Sequence, residues 1–327
     1  MARRLQVRTE NWPLARPFAI SRGVKTAADV VVAEITDGGA RGLGECVPYA
    51  HYGETVDGIA ETLTGMADAV AGGLDREGLQ GLLGSGAARN ALDCALWDLQ
   101  AKQAGKRVWE LAGLPAPEPM ITAETIGIGT VDEMAARAAE MASAPLIKVK
   151  LDHQDALEKI TAIRAAAPGA RLIIDPNEGW QVDQVAEWGL ALKDLGVEML
   201  EQPVPAGRDG GLKGLTSPVP ICADEACHSR DDLDRLEGLY DMINIKLDKS
   251  GGLTEALALK REAEARGFGI MVGCMVGTSL GMAPATLVAQ GAAIVDLDGP
   301  LLLKDDRQPG LTFTDGHIHP PEAPVWG

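Results

Sequence analysis

From about residue 120 onward, short apolar runs alternate with helical stretches, and the runs close on charged residues at a regular interval. Lys150, Asp175, Glu201, Asp224 and Lys246 follow one another at intervals of 25, 26, 23 and 22 residues. Each interval is the length of one strand, one helix and their connections. The apolar runs cover residues 146–151, 172–175, 197–201, 219–224, 242–247, 269–274 and 292–298. Helical stretches lie at 131–141, 155–167, 181–195 and 253–266. An earlier strand near 121–126 brings the count to about eight, the number of a TIM barrel. The fold class expected is therefore α/β, a parallel βα barrel.

The first third reads differently. Residues 30–35 form a β-branched run that ends at the turn Asp37-Gly38-Gly39, and a shorter strand follows at 42–47. Leu92, Ala95, Leu96 and Leu99 recur at helical spacing, which predicts an amphipathic helix over 87–104. Pro115, Pro117 and Pro119 suit neither a helix nor a sheet interior and mark a domain boundary.

Composition narrows the partners. The formal net charge of -17 repels phosphate backbones and anionic lipid, so neither nucleic acid nor membrane is expected. Asn11, Pro13 and Arg16 interrupt any apolar region of a signal peptide, and no apolar run is long enough to span a bilayer. Cys46, Cys94, Cys222, Cys227 and Cys274 are odd in number and lack C-x-x-C spacing. Reduced thiols in a cytoplasmic protein fit that pattern better than disulfides or zinc.

Residues that close parallel strands gather at the C-terminal mouth of a barrel, where active sites form. Three carboxylates there, Asp175, Glu201 and Asp224, make a hard-oxygen site suited to Mg²⁺. Such an ion can hold a substrate carboxylate and stabilise the enediolate left when its α-proton departs. Removing that proton needs a base, and a free lysine at a pKa of about 10.4 must be depressed to serve. Lys148 shares the face of Lys150, so its charge and that of the ion would lower the pKa of Lys150. Lys246 arrives from the far side of the trio. Two bases on opposite sides of one carbon are what inversion requires. Lys249 reads as a solvated or supporting lysine.

Lys148-Val149-Lys150, Asp175-Pro176-Asn177, Glu201-Gln202-Pro203, Asp224-Glu225 and Asn244-Ile245-Lys246-Leu247 together resemble the muconate-lactonizing subgroup of the enolase superfamily. The resemblance covers essentially the whole chain. It implies a modified barrel over residues 116–301, and an α+β capping domain over 1–115 joined by the tail 302–327. It also implies Asp175, Glu201 and Asp224 as Mg²⁺ ligands, Lys150 and Lys246 as the acid/base pair, and Asn177 and Gln202 as supports behind them.

Two further features resemble the dipeptide epimerases that act on L-Ala-D/L-Glu. Asp296-Leu297-Asp298 sets two carboxylates on one face of the last strand, suited to a dipeptide's α-ammonium. Arg22, in Ile20-Ser21-Arg22-Gly23, matches a loop arginine that meets the side-chain carboxylate of a C-terminal Glu. The same resemblance implies substrate contacts by Thr125 and Lys148, a pocket lined by Cys274 and Met275, and a role in peptidoglycan-peptide metabolism. It leaves assembly into a homo-oligomer open.

Two alternatives stand beside this reading. Within the superfamily, a cycloisomerase or an o-succinylbenzoate synthase-like dehydratase would act on substrates without the amine that Asp296 and Asp298 suit. Outside it, Gly277-Thr278-Ser279-Leu280-Gly281 matches a nucleophile elbow, with Asp296 and His317 or His319 following in order. A serine hydrolase would leave both lysines and the three carboxylates without a role. His317-Ile318-His319 otherwise reads as a surface feature of the tail.

Overall fold

The structure is a computed structural model that describes residues 3–327. It opens with an antiparallel sheet, β1 (Arg4–Ile20), β2 (Gly23–Asp37) and β3 (Ala40–Cys46). Pairing of β1 with β2 shifts register between Pro13 and Phe18. The residues that break up an N-terminal apolar run are thus the exposed positions of a long, bulged strand.

Helices α1 (Val56–Gly65), α2 (Ala67–Ala71), α3 (Arg76–Leu82), α4 (Ala87–Ala104) and α5 (Val108–Leu111) follow. Helix α4 lies directly on β3 because the strand presents glycine to it. A methyl group at Gly42 would stand 2.1 Å from Ala95 O, and one at Gly44 would stand 2.0 Å from Ala91 O.

The expected strand near 121–126 is two strands with different partners. β4 (Met120–Ile121) pairs antiparallel with β14 (His317–Ile318), which pairs in turn with β13 (Phe313–Thr314). β5 (Glu124–Ile126) opens the parallel sheet, which runs β5 through β12 in sequence order. Its other strands are β6 (Leu146–Lys150), β7 (Arg171–Asp175), β8 (Val197–Glu201), β9 (Ile221–Ala223), β10 (Met242–Ile245), β11 (Gly269–Gly273) and β12 (Ile294–Asp296). Ala123 N–H donates to Val295 O at 2.8 Å and draws the first and last strands together. Helices α6 (Val131–Glu140), α7 (Ala156–Ala166), α8 (Val182–Asp194), α9 (Leu233–Leu236), α10 (Leu247–Ser250), α11 (Leu253–Ala265) and α12 (Ser279–Ala289) connect them. No helix among the described residues is long and apolar enough to cross a membrane.

Side-chain alternation sorts the strand residues. Ile147, Val149, Leu172 and Ile174 pack into the large core cluster, while Leu146, Ile173, Met199, Cys222, Met242, Met271 and Ile294 cluster separately. Lys148, Asp175, Glu201, Asp224, Asn244 and Asp296 lie an even number of residues further along the same strands as members of that second cluster. The face that is apolar lower down therefore becomes charged at the mouth.

The tail crosses back to the first sheet. Trp326 Nε1–H donates to Leu43 O at 3.0 Å, and Gly327 N–H donates to Asp98 Oδ1 at 2.8 Å. Buried Glu45, at the end of β3, accepts from Thr278 N–H at 2.8 Å and pairs with Arg307 at 2.7 Å. Asp248, which follows β10, accepts from Val47 N–H at 3.0 Å and from Asn90 Nδ2 at 2.8 Å. These bonds hold the antiparallel sheet and its helices over the barrel mouth.

Candidate active site

Asp175, Glu201 and Asp224 converge at that mouth, and one oxygen from each lies within 4.8 Å of the others. All three are buried. Three buried like charges are costly unless cations answer them, and lysines surround the group. Lys150 Nζ donates to Asp175 Oδ2 at 2.5 Å, and Lys246 Nζ donates to Asp224 Oδ2 at 2.6 Å. Lys148 Nζ lies 2.6 Å from Glu201 Oε2, 2.7 Å from Asp296 Oδ2 and 3.3 Å from Asp175 Oδ2.

Lys249 departs from the solvated reading. It is fully buried, stands 2.7 Å from Asp224 Oδ1, and donates to the carbonyls of Asp224 and Asn244. The short helix α10 turns it inward three residues after Lys246.

The charge balance shows in the proton affinities. Burial would raise Asp175, but Lys150 and Lys148 outweigh it and hold the carboxyl at about 2. Burial and the neighbouring Asp175 push Glu201 up to about 8. For Lys246, burial acts downward, yet Asp224 and Glu201 hold the ammonium above the ordinary lysine range. Lys148 behaves the same way, raised by Asp296, Glu201 and Asp175 against burial. Carboxylate neighbours thus act on Lys246 in the opposite sense to the depression a lysine base needs.

Two loop residues fix the carboxylates. Asn177 N–H donates to Asp175 Oδ1 at 2.8 Å, and its Nδ2 donates to Oδ2 at 3.1 Å, from a left-handed backbone at φ 46°. Gln202 has φ 30°, a strained value for a residue with a side chain. Its side chain is held on four sides. Oε1 accepts from the N–H groups of Asp224 and Ala226 at 2.8 and 3.0 Å, and Nε2 donates to Val204 O and Tyr240 Oη at 2.9 and 2.8 Å. Asn244 Nδ2 donates to Glu201 Oε1 at 2.7 Å.

A metal ion fits this donor set. The ligand atoms are hard oxygens from three strands. Glu201 Oε2 and Asp224 Oδ1 lie beside lysine ammoniums, but neither contact has hydrogen-bond geometry, and both oxygens stay without a donor.

Beside the carboxylates a small cavity opens to solvent. Lys150 and Lys246 both line it, with Asp224, Asn177, Cys274, Met275 and Arg22. Arg22 sits at the tip of the β1–β2 hairpin, where Ser21 Oγ–H and Arg22 Nη1 both donate to Asn177 O, at 2.9 and 3.1 Å. Thr125, Lys148, Asp296 and Asp298 lie outside this lining. Thr125 instead edges a neighbouring groove with Phe18, and its N–H donates to Asp298 Oδ2 at 2.8 Å. Asp296 Oδ1 has no hydrogen-bond donor, and burial with the charge of Asp296 pushes Asp298 up to about 7.

Ser279 is not a nucleophile. It is fully buried at the start of α12, donates to Asp306 Oδ2, and accepts from Leu311 N–H at 2.8 Å. His317 Nδ1 lies 2.9 Å from Asp315 O and His319 Nε2 lies 2.6 Å from Thr314 Oγ1, so neither serves Ser279.

Residues 131–327 match the enolase C-terminal domain-like family, and residues 2–113 match the mandelate racemase/muconate lactonizing enzyme N-terminal domain. The chain belongs to the mandelate racemase/muconate lactonizing enzyme family of the enolase superfamily. Members of this family similar to it include the L-Ala-D/L-Glu epimerase of Escherichia coli strain K12, 48% identical over 97% of this chain and 99% of that protein. An enolase family member from Agrobacterium tumefaciens, described as having homology to dipeptide epimerases and solved with sodium and L-Ala-L-Glu, is 53% identical. It superposes with a TM-score of 0.97 over 99% of this chain and 100% of that one. A dipeptide epimerase from Enterococcus faecalis, complexed with Mg and L-Leu-L-Tyr, is 30% identical with a TM-score of 0.91, covering 98% of each chain.

Sequence reasoning missed Glu178, Tyr49 and Tyr52 at this site. Glu178 and Tyr49 bind Arg22, and Tyr52 lines the cavity. Glu225, the second residue of Asp224-Glu225, had no role assigned from sequence, and it accepts from Arg22 Nη2 at 2.6 Å. The one available signal was its position directly after Asp224 on the same loop.

Proposed function

We propose that this chain is a Mg²⁺-dependent dipeptide epimerase that interconverts L-Ala-L-Glu and L-Ala-D-Glu, or a related L-Ala-Xaa pair, by proton transfer at the second α-carbon. One observation carries the reading: Lys150 and Lys246 flank the carboxylate trio from its two ends and open into one cavity.

Asp175, Glu201 and Asp224 are the residues that would hold Mg²⁺. The bound ion supplies positive charge to the substrate carboxylate and so acidifies the neighbouring C–H. One lysine, neutral, takes the α-proton from one face. The other, as its ammonium, returns a proton to the opposite face, and the configuration inverts. The reverse direction exchanges the two roles. Asn177 and Gln202 keep the ligands in place.

Asp296 and Asp298 form the proposed ammonium site. Support comes from the unpaired Asp296 Oδ1 and from the raised proton affinity of Asp298, which a substrate cation would lower again. Thr125 and Lys148 adjoin that pair. Arg22, Cys274 and Met275 border the cavity where the second residue would lie. The similarity to enzymes acting on dipeptides favours this substrate class over that of a cycloisomerase or dehydratase. We also propose residues 1–115 with 302–327 as the cap over a barrel of 116–301. Five free cysteines, four of them buried, support a reducing, cytoplasmic setting, and an Ala-Glu substrate supports a role in peptidoglycan-peptide metabolism.

The test is incubation of L-Ala-L-Glu with the protein and Mg²⁺, followed by chromatographic separation of diastereomers. Appearance of L-Ala-D-Glu supports the reading. Absence of the second diastereomer from every L-Ala-Xaa dipeptide overturns it.

A further inference from the structure

We infer that Lys25 is a second cationic anchor for an acidic substrate side chain, and that the enzyme's preference for such substrates depends on it. The inference rests on the dipeptide epimerase reading above and extends it to the charge of the second residue.

Arg22 is already committed. Its Nη1 contacts Glu178 Oε2 at 3.2 Å, and its Nη2 contacts Glu225 Oε1 at 2.6 Å and Tyr49 Oη at 2.9 Å. One guanidinium therefore faces two carboxylates, and Glu225 is buried. Glu178 also meets His51 Nε2 at 2.9 Å, so Arg22 is held among partners already in place and has little charge left for an incoming carboxylate. Desolvating it there would be costly without further positive charge.

Lys25 supplies that charge. It lies on β2 opposite Phe18 and lines the same cavity as Arg22, Lys150 and Lys246. Its Nζ stands 5.1 Å from the centroid of the Tyr49 ring, and Arg22 Cζ stands 5.7 Å from the same centroid. The two cations thus share one aromatic platform at the cavity wall. The Lys25 ammonium donates no hydrogen bond and enters no ion pair among the described residues, and only the more distant charge of Asp29 favours its charged form. Burial first, then the charge of Arg22, hold it below the ordinary lysine range. A half-buried ammonium without a partner is relieved by an anion, and the cavity is where an anion can reach it. Among the groups lining the cavity, Lys150 and Lys246 are already paired with Asp175 and Asp224, which leaves Lys25 as the cation to receive a carboxylate.

Lys25→Met keeps the length of the side chain and removes the charge. Its kcat/KM is compared with wild type on L-Ala-L-Glu and on L-Ala-L-Gln, which differ by one charge at nearly equal shape. A charge-assisted contact predicts that the Glu-to-Gln ratio falls about ten- to a hundred-fold, mostly through KM. Lys25→Arg is expected to restore most of the ratio. A proportional loss on both dipeptides, or no change in the ratio, overturns the inference.

Glutarate separates this from failure of the dipeptide reading. If wild type turns over neither dipeptide, glutarate still reads the anion site through its effect on the melting temperature. Stabilisation of wild type but not of Lys25→Met supports the anchor. Equal stabilisation of both, or of neither, overturns it.

Discussion

Lys246 Nζ donates to Asp224 Oδ2 at 2.6 Å, so one carboxylate serves both a proposed base and a proposed metal site. The lysine is held in its charged form by this contact, with Glu201 adding to the effect against burial. A dication on the same carboxylates would weaken that hold and favour the neutral amine. Metal binding and base activation would thus be linked through Asp224.

Mg²⁺ added to chelator-treated protein is expected to raise its melting temperature saturably. Glu201→Gln and Asp224→Asn should weaken that response at least about ten-fold in Mg²⁺ concentration, since each removes a charged ligand. Glu201 carries a raised proton affinity, about 8, and binding must release that proton. Apparent Mg²⁺ affinity should therefore rise with pH up to about 8 and level off above it. An affinity independent of pH from 6 to 8 would contradict the assignment of Glu201 as a ligand.

Replacing either lysine should abolish inversion while leaving proton exchange on one face. Lys150→Ala and Lys246→Ala are expected to lose epimerisation by about 10²–10⁴-fold, the range of a general acid or base. Each should still wash the α-deuterium of only one diastereomer, and the two variants should choose opposite diastereomers. Retention of full epimerisation by both would rule out the two-base scheme.

Asp298 provides a pH signature. Its carboxyl is pushed to about 7 by burial and by Asp296, so it loses its charge as pH falls through that value. A dipeptide α-ammonium should bind it less well on the acid side, and kcat/KM for L-Ala-L-Glu should fall below pH about 7. Asp298→Asn should lower kcat/KM by about ten-fold or more and flatten that limb. An unchanged acid limb in the variant would remove Asp298 from ammonium recognition.

Asp248 ties the β3 end to the barrel through Val47 and Asn90. Burial raises its proton affinity from 3.8 to about 7, with Glu54 and Glu45 adding to it. The folded state thus prefers the neutral acid. Its contribution is fully present below the unfolded value and is lost as pH rises from about 4 to about 7. Asp248→Asn keeps an acceptor for both donors and cannot ionise. Its melting temperature relative to wild type should move upward across that interval, and a constant difference would contradict the argument.

The barrel and its polar mouth were readable because two periods coincide. A βα unit of fixed length places Lys150, Asp175, Glu201, Asp224 and Lys246 at one end, and strand alternation points them to one face. The first strand was not readable. Half of its residues are exposed, and its register slips between Pro13 and Phe18, so the alternation over residues 8–15 is lost in the rest of the strand. Glu178 and Glu225 escaped for another reason. They reach Arg22 from loops, and Glu178 does so with a left-handed backbone at φ 66°, which no hydrophobic pattern encodes. Lys249 stayed between a solvated and a supporting reading because nothing local shows that α10 turns into the site. Ser279 shows the converse. A five-residue motif matched, while its partner Asp306 lies 27 residues away and makes it a structural hydroxyl.

In the proposed reaction, two lysines exchange protons with one carbon from opposite faces. Proton NMR of L-Ala-L-Glu in D₂O with wild type and Mg²⁺ tests it most directly. The Glu α-proton signal is expected to disappear while the Ala α-proton persists, with deuterated L-Ala-D-Glu accumulating alongside deuterated L-Ala-L-Glu. Persistence of the α-proton at the second residue in every L-Ala-Xaa dipeptide, with Mg²⁺ bound, would contradict it.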